Sequence, residues 1–166
     1  MNFVRALKVW VKNFLEMKLE RVHTHIPAQV VSFDAEKNTV TIQPCLKIFR
    51  SDDTETGEST LPLIEDVPVQ ILGNQDVMLT VPVKAGTYGT YHVAEDDINQ
   101  WIQEGGVVSK TSVDRFNMDT GLFEPGLYPF DSSFSSAILT DRISLRTKDG
   151  NTNVSVLESN VVHLNG

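Results

Sequence analysis

Residues 30–43 read VVSFDAEKNTVTIQ. Val40, Thr41, Ile42 and Gln43 alternate apolar and polar, the period of a half-buried strand, so Val40 and Ile42 face a core while Thr41 and Gln43 face out. Val30, Val31, Ser32 and Phe33 form a second β-branched and aromatic run ahead of them, and Asp34 to Asn38 supply a polar connection. The stretch is therefore read as an antiparallel hairpin, with Pro44 ending the regular pairing or marking an edge. Further strands are expected around residues 61–71, 77–83 and 87–93, each bounded by Gly, Pro or Asn. Residues 51–60 hold Asp52, Asp53, Glu55, Gly57 and Glu58 and no apolar side chain, and read as an exposed loop. A short helix is expected over 95–103, with Glu95, Asp96 and Asp97 in its first turn, Ile98, Trp101 and Ile102 on its buried face, and Gly105 and Gly106 stopping it. Five strands and one helix within residues 23–106 fit a small Greek-key barrel of the OB type, with an SH3-like barrel as the competitor.

Upstream of this domain the spacing changes. Phe3, Leu7, Trp10, Phe14 and Met17 follow steps of four and three, and Val4, Val11 and Leu15 widen the stripe, so residues 1–22 read as an amphipathic helix. Lys8 and Lys12 interrupt the run and no small-residue cleavage site follows it, which argues against a spanning helix or a signal peptide. Three settings for its apolar face remain open: packing on its own domain, a bundle between subunits, or a membrane surface.

Downstream, residues 107–136 lack regular patterning and carry Phe116, Phe123, Tyr128 and Phe130 among Gly and Pro. They read as an irregular linker that packs on the barrel or on a neighbouring subunit. In residues 137–166 a turn at Asp149 and Gly150 would set Leu145 opposite Val154, Ile143 opposite Val156, and Arg146 opposite Asn153 on the other face. Val161, Val162, His163 and Leu164 then add a third strand. A sheet this small is marginal in isolation, so its apolar face, Ile143, Leu145, Val154 and Val156, is expected to be covered by intertwining with two further copies as a short β-helix-like trimer.

Charge excludes more than it names. The chain of 166 residues carries a formal charge of -8, divided as +3 over residues 1–22, -11 over 23–136 and 0 over 137–166. An acidic body of this kind is a poor partner for a phosphate backbone, so no nucleic-acid partner is expected. A single cysteine, Cys45, permits no internal disulfide and no multi-cysteine zinc site.

Few residues offer chemistry. His23 and His25 would share a face if both lay in a strand, but two imidazoles do not fill a coordination sphere. His163 supplies one imidazole per chain, which a three-fold axis would multiply to three; it is the sole candidate for a metal ion, and no other cofactor is expected. Cys45 with His92 lacks the surroundings of an activated nucleophile. The acidic groups at Asp52, Asp53 and Glu55 and at Glu95, Asp96 and Asp97 read as a solvated loop and a helix start. No phosphate loop or dinucleotide fingerprint is present. The chain is accordingly read as having no catalytic residues and as not an enzyme.

Four blocks carry a resemblance: PAQVVSFDAEKNTVTIQPCL (27–46), LPLIEDVPVQIL (61–72), LTVPVKAGTYGTYHVAEDDINQWIQEGG (79–106) and DRFNMDTGLFEPGLYP (114–129). In order and spacing they resemble the N-terminal domain of the central spike proteins of contractile-tailed bacteriophages. The resemblance implies a structural virion protein at the tail baseplate, made in the host cytoplasm. It implies an OB-fold domain attached to the tail hub, a homotrimer, and a C-terminal intertwined β-helical needle that pierces the host envelope when the sheath contracts. The needle here is short, so the chain is either a short spike or a base whose point a separate tip protein supplies. Such tips often bind iron through a His-x-His motif from each chain; here that end holds His163 alone. On this reading the apolar faces of the first helix (Phe3, Leu7, Trp10, Phe14, Met17) and of the last sheet (Ile143, Leu145, Val154, Val156) are hub or oligomer interfaces. An OB-fold module for single-stranded nucleic acid or oligosaccharide is the alternative, and a membrane-associated regulator anchored by residues 1–21 is a third.

Overall fold

The computed structural model describes residues 3–19, 22–51, 56–74, 76–113, 115–132, 138–157 and 162–165. The chain divides into two compact units, Met1–Leu127 and Tyr128–Gly166.

The first unit opens with helix α1 (Phe3–Leu19). The sheet that follows is built from β1 (His25–Asp34), β2 (Thr39–Pro44), β5 (Ile64–Pro68), β8 (Tyr88–Val93) and β9 (Gly121–Pro125). Between them come two small hairpins, β3 (Lys47–Ser51) with β4 (Thr56–Thr60) and β6 (Leu72–Gly73) with β7 (Met78–Leu79), and helix α2 (Asn99–Glu104). The sheet order is β5-β2-β1-β8-β9, every neighbouring pair antiparallel. A parallel bridge between Val69 and Phe123 brings the end of β5 against β9, so the sheet curls on itself into a half-barrel.

Two irregularities in the ladder let this sequence fill the interior. The β1–β2 register slips by one residue between Val30 and Ser32. Before the slip Ile26, Ala28 and Val30 point inward; after it Phe33, opposite Val40, takes the inner face and Val31 is left outside, 46% exposed. A second slip, where Val40 meets Val67 but Ile42 meets Ile64, places both Ile64 and Val67 inside; it is absorbed at Asp66, whose φ of 53° lies in the left-handed region. Asp tolerates that region better than most side chains, and Lys37 lies 3.7 Å from its carboxylate. The core comprises Ala28, Val30, Val40, Ile42, Ile64, Val67, Val69, Tyr91 and Phe123, with Phe33, Val83, Val93 and Met118 packed against it.

Its two largest side chains need glycine beside them. A Cβ on Gly89 would collide with the Phe123 ring, and one on Gly121 with the Tyr91 ring. The Tyr91 hydroxyl donates to the Met118 carbonyl at 2.7 Å, and burial, with the Asp119 carboxylate second, pushes its pKa up, so it stays a donor. Tyr91→Phe is expected to cost about 1 kcal/mol by leaving that carbonyl unpaired, read as a lower urea midpoint at unchanged slope.

The structure departs from the sequence expectations at several places. Residues 51–60 are not simply a loop: Thr56–Thr60 forms β4 and pairs with Lys47–Ser51 as β3, while Asp52, Asp53 and Glu55 lie outside the described residues. The strand expected over 77–83 is reduced to Met78–Leu79. Helix α2 starts at Asn99, so Glu95, Asp96 and Asp97 precede it, and Trp101 and Ile102 are 53% and 41% exposed instead of buried. The segment 107–136 contributes β9, an integral strand whose alternation (Gly121 and Phe123 in, Leu122 and Glu124 out) is disguised by glycine and proline.

The second unit holds a short 3-10 turn (Phe130–Ser132) and the antiparallel meander β10 (Arg142–Arg146), β11 (Asn153–Leu157) and β12 (Val162–Asn165). Leu145 pairs with Val154, Ile143 with Val156 and Arg146 with Asn153, the register expected from the sequence. The turn is wider than two residues: the Thr147 and Gly150 backbones close it, Gly150 takes φ 79°, and Asp149 accepts from Thr147 and Asn151. Those hydrogen bonds hold the Asp149 carboxyl below its usual pKa.

Candidate functional site

The side-chain groups that could carry a function fall at five separate places. On the outer face of the half-barrel, His25 of β1 and His92 of β8 are direct cross-strand partners, and Glu124 of β9 lies diagonally beyond. The His25 and His92 rings meet edge to face at 4.6 Å, and His92 Nε2 lies 3.0 Å from Glu124 Oε2. His23 precedes β1, so strand alternation does not bring it to the face of His25. Among the described residues no three His, Cys, Asp or Glu side chains are grouped to hold a metal ion. Cys45 and His92 have different partners: the Cys45 thiol contacts the Gln43 carbonyl at 3.6 Å, and partial burial raises its pKa, which keeps it in the weakly nucleophilic thiol form.

The acidic group before α2 is a fastening. Asp96 lies 2.5 Å from Lys110 Nζ, Glu95 is paired with Arg115, and Asp96 and Arg115 also form a backbone bridge. Asp97 accepts from the Asn99 amide and the Thr111 hydroxyl. These contacts tie the α2 excursion to the irregular segment that follows it and leave Trp101, Ile102, Val107 and Val113 facing outward.

At the mouth of the half-barrel where the β1–β2 turn lies, a groove of about 890 Å³ runs between Phe33, Val69, Leu72, Leu79 and Pro125. Phe33 is its sole aromatic and Glu124 its sole charged lining residue among those described. A groove for single strands or sugars would need stacking rings and, for nucleic acid, cations.

The fourth place is the meander. Ile143, Leu145, Val154, Val156, Val162 and Leu164 present one apolar face that is open, Ile143 being 82% and Leu164 77% exposed, while Ser155 on the opposite face is 1% exposed. On the polar side Arg142, Ser144, Arg146 and Asn153 are only half-buried around Ser155, while the apolar side is bare, an arrangement a self-sufficient sheet does not adopt in water. Residues Val162 and Leu164 extend the stripe beyond the four expected members; the i, i+2 spacing within 161–164 carried that signal. His163 pairs through its backbone with Ser155, and its side chain lies outside the described residues. One imidazole in this part of the sequence does not reproduce a His-x-His motif. α1 is the second bare surface: none of its residues is buried, so the possibility that it packs on its own domain is not realised.

Among curated proteins none matches the chain. The family model described as the phage protein Gp138 N-terminal domain matches residues 26–126. That span runs from the first buried residue of β1 to the residue after β9, so it coincides with the five-stranded half-barrel and includes the α2 excursion. The chain belongs to the phage protein Gp138 N-terminal domain family, a family of phage structural proteins.

Proposed function

We propose that this chain is the trimeric central spike of a contractile phage tail, held in the baseplate by the tail hub and driven into the host envelope when the sheath contracts. The observation that carries the reading is the inverted meander: six large apolar side chains on an open face of the C-terminal unit, in a register that leaves them contiguous. Covering such a side chain gains about 1.5–3 kcal/mol, and two further copies of the same strands can cover all six. Family membership supplies the phage context. The strand order, with β5 meeting β9 in parallel, agrees with an OB-type barrel for the hub-attached domain.

The mechanism is mechanical and uses no catalytic group. Force delivered at the barrel end passes along the trimer, whose strands separate only by breaking contacts to two neighbours at once. Survival under a brief load is set by the unfolding rate, which such interlocking lowers. Immunogold labelling of intact particles with antibody to this chain tests the placement. Label confined to the distal end of the tail is expected; label on the head or absent from particles overturns it. For the alternative binding-module reading, the groove at the half-barrel mouth offers, among the described residues, one aromatic, Phe33, and one charged residue, the acidic Glu124.

A further inference from the structure

We propose that α1 is an interfacial helix that lies on the surface of an anionic phospholipid bilayer. The proposal does not depend on the spike reading. At 100° per residue, Ala6, Met17, Trp10, Phe3, Phe14, Leu7, Val11, Val4 and Leu15 lie within one arc of about 180° that Lys18 alone interrupts, and Lys8, Lys12, Arg5, Glu16 and Asn13 lie in the opposite arc with Val9 and Leu19 among them. The helix is 17 residues long, and no helix among the described residues is long and apolar enough to cross a membrane. None of its side chains is buried, and Phe3 and Trp10 are 77% and 62% exposed.

Two features favour lipid over a second protein surface. The first is charge: residues 3–19 hold four cations and one acid, Glu16, which already lies 3.6 Å from Lys12. Packed side by side, copies of α1 would add like charges without acidic partners, whereas an anionic surface neutralises each. The second is the breadth and make-up of the apolar arc. A bundle seam is a narrow stripe over several heptads, while a half-cylinder with aromatics at its centre matches immersion to the depth of the acyl boundary. Trp10 and Phe14 stack at 5.5 Å in that arc, and Lys18, which falls within it in the last turn, reaches over the Phe14 ring at 5.6 Å, the posture of a cation whose stem lies on apolar surface while its ammonium snorkels toward head groups.

The test uses the full chain carrying Trp101→Phe, which leaves Trp10 as the sole tryptophan. Flotation with phosphatidylcholine–phosphatidylglycerol vesicles is compared with pure phosphatidylcholine vesicles, and solution mass and the urea midpoint are recorded for each variant. The expected result is flotation with the anionic vesicles and a blue shift of Trp10 emission. Phe14→Asp is expected to abolish both, and Lys8→Glu with Lys12→Glu to weaken anionic binding by about tenfold or more, all at unchanged solution mass and midpoint. Failure of the parent chain to float overturns the proposal, as does equal flotation of Phe14→Asp. Equal binding to the uncharged vesicles overturns the anionic assignment. A fall in solution mass with Phe14→Asp would make the face a subunit contact instead. Because the trimer is read from mass and the lipid contact from flotation, either can fail without the other.

Discussion

Phe123→Ala is expected to lower the stability of the first unit by about 3–5 kcal/mol, the largest loss of any single core truncation in this chain. Phe123 is fully buried at the seam where the half-barrel turns on itself: it bridges Val69, its carbonyl accepts from the Gln70 amide at 2.8 Å, and its ring occupies the space Gly89 leaves open. Truncation removes the ring and leaves a cavity between strands whose glycines cannot fill it. Since a domain commonly has only about 5–15 kcal/mol in hand, much of the population would unfold at mild urea concentrations. Val31→Ala, at the bulge and half-exposed, is the control and should stay within about 0.5 kcal/mol. A Phe123 variant as stable as the Val31 variant would mean that the seam does not hold the fold.

The second large effect concerns assembly. Ile143 and Val156 face each other across β10 and β11 on the open side of the meander. Ile143→Asp with Val156→Asp replaces two side chains whose cover is worth roughly 3–6 kcal/mol per chain, and every 1.4 kcal/mol is tenfold in a dissociation constant. The expected outcome is a shift from trimer to monomer in light scattering, with the urea transition of the first unit unchanged. Val113→Asp, at a fully exposed position of the other unit, should leave the mass alone. A trimer that survives the double substitution would place the interface elsewhere.

Parts of the fold are legible in the sequence because their physics is local. The alternation of Val40 to Gln43 and the pairing of Ile143 with Val156 are set by residues within one hairpin; the inward faces of the first and the register of the second are read correctly from spacing, the latter although its turn is wider than the two residues expected. Strand β9 is hidden because its inward positions are Gly121 and Phe123. The glycine is there for the Tyr91 ring, a neighbour about thirty positions away, so no local pattern reveals it. The same applies to α2: Glu95 and Asp96 look like a helix start in isolation but answer to Arg115 and Lys110 from the returning chain. The two bulges are visible only in pairing, since a slip at Val31 or Asp66 changes which residues face inward without changing composition. The cluster of His25, His92 and Glu124 also depends on three strands meeting, whereas the candidate interface faces lie within single elements and could be listed beforehand.

The most direct measurement of the central claim is the solution mass of the full chain by light scattering across a tenfold dilution. The trimeric spike predicts a mass near three times 18.5 kDa that does not fall on dilution. A mass of one chain at every concentration would contradict it and leave the bare face of the meander without its two partner copies.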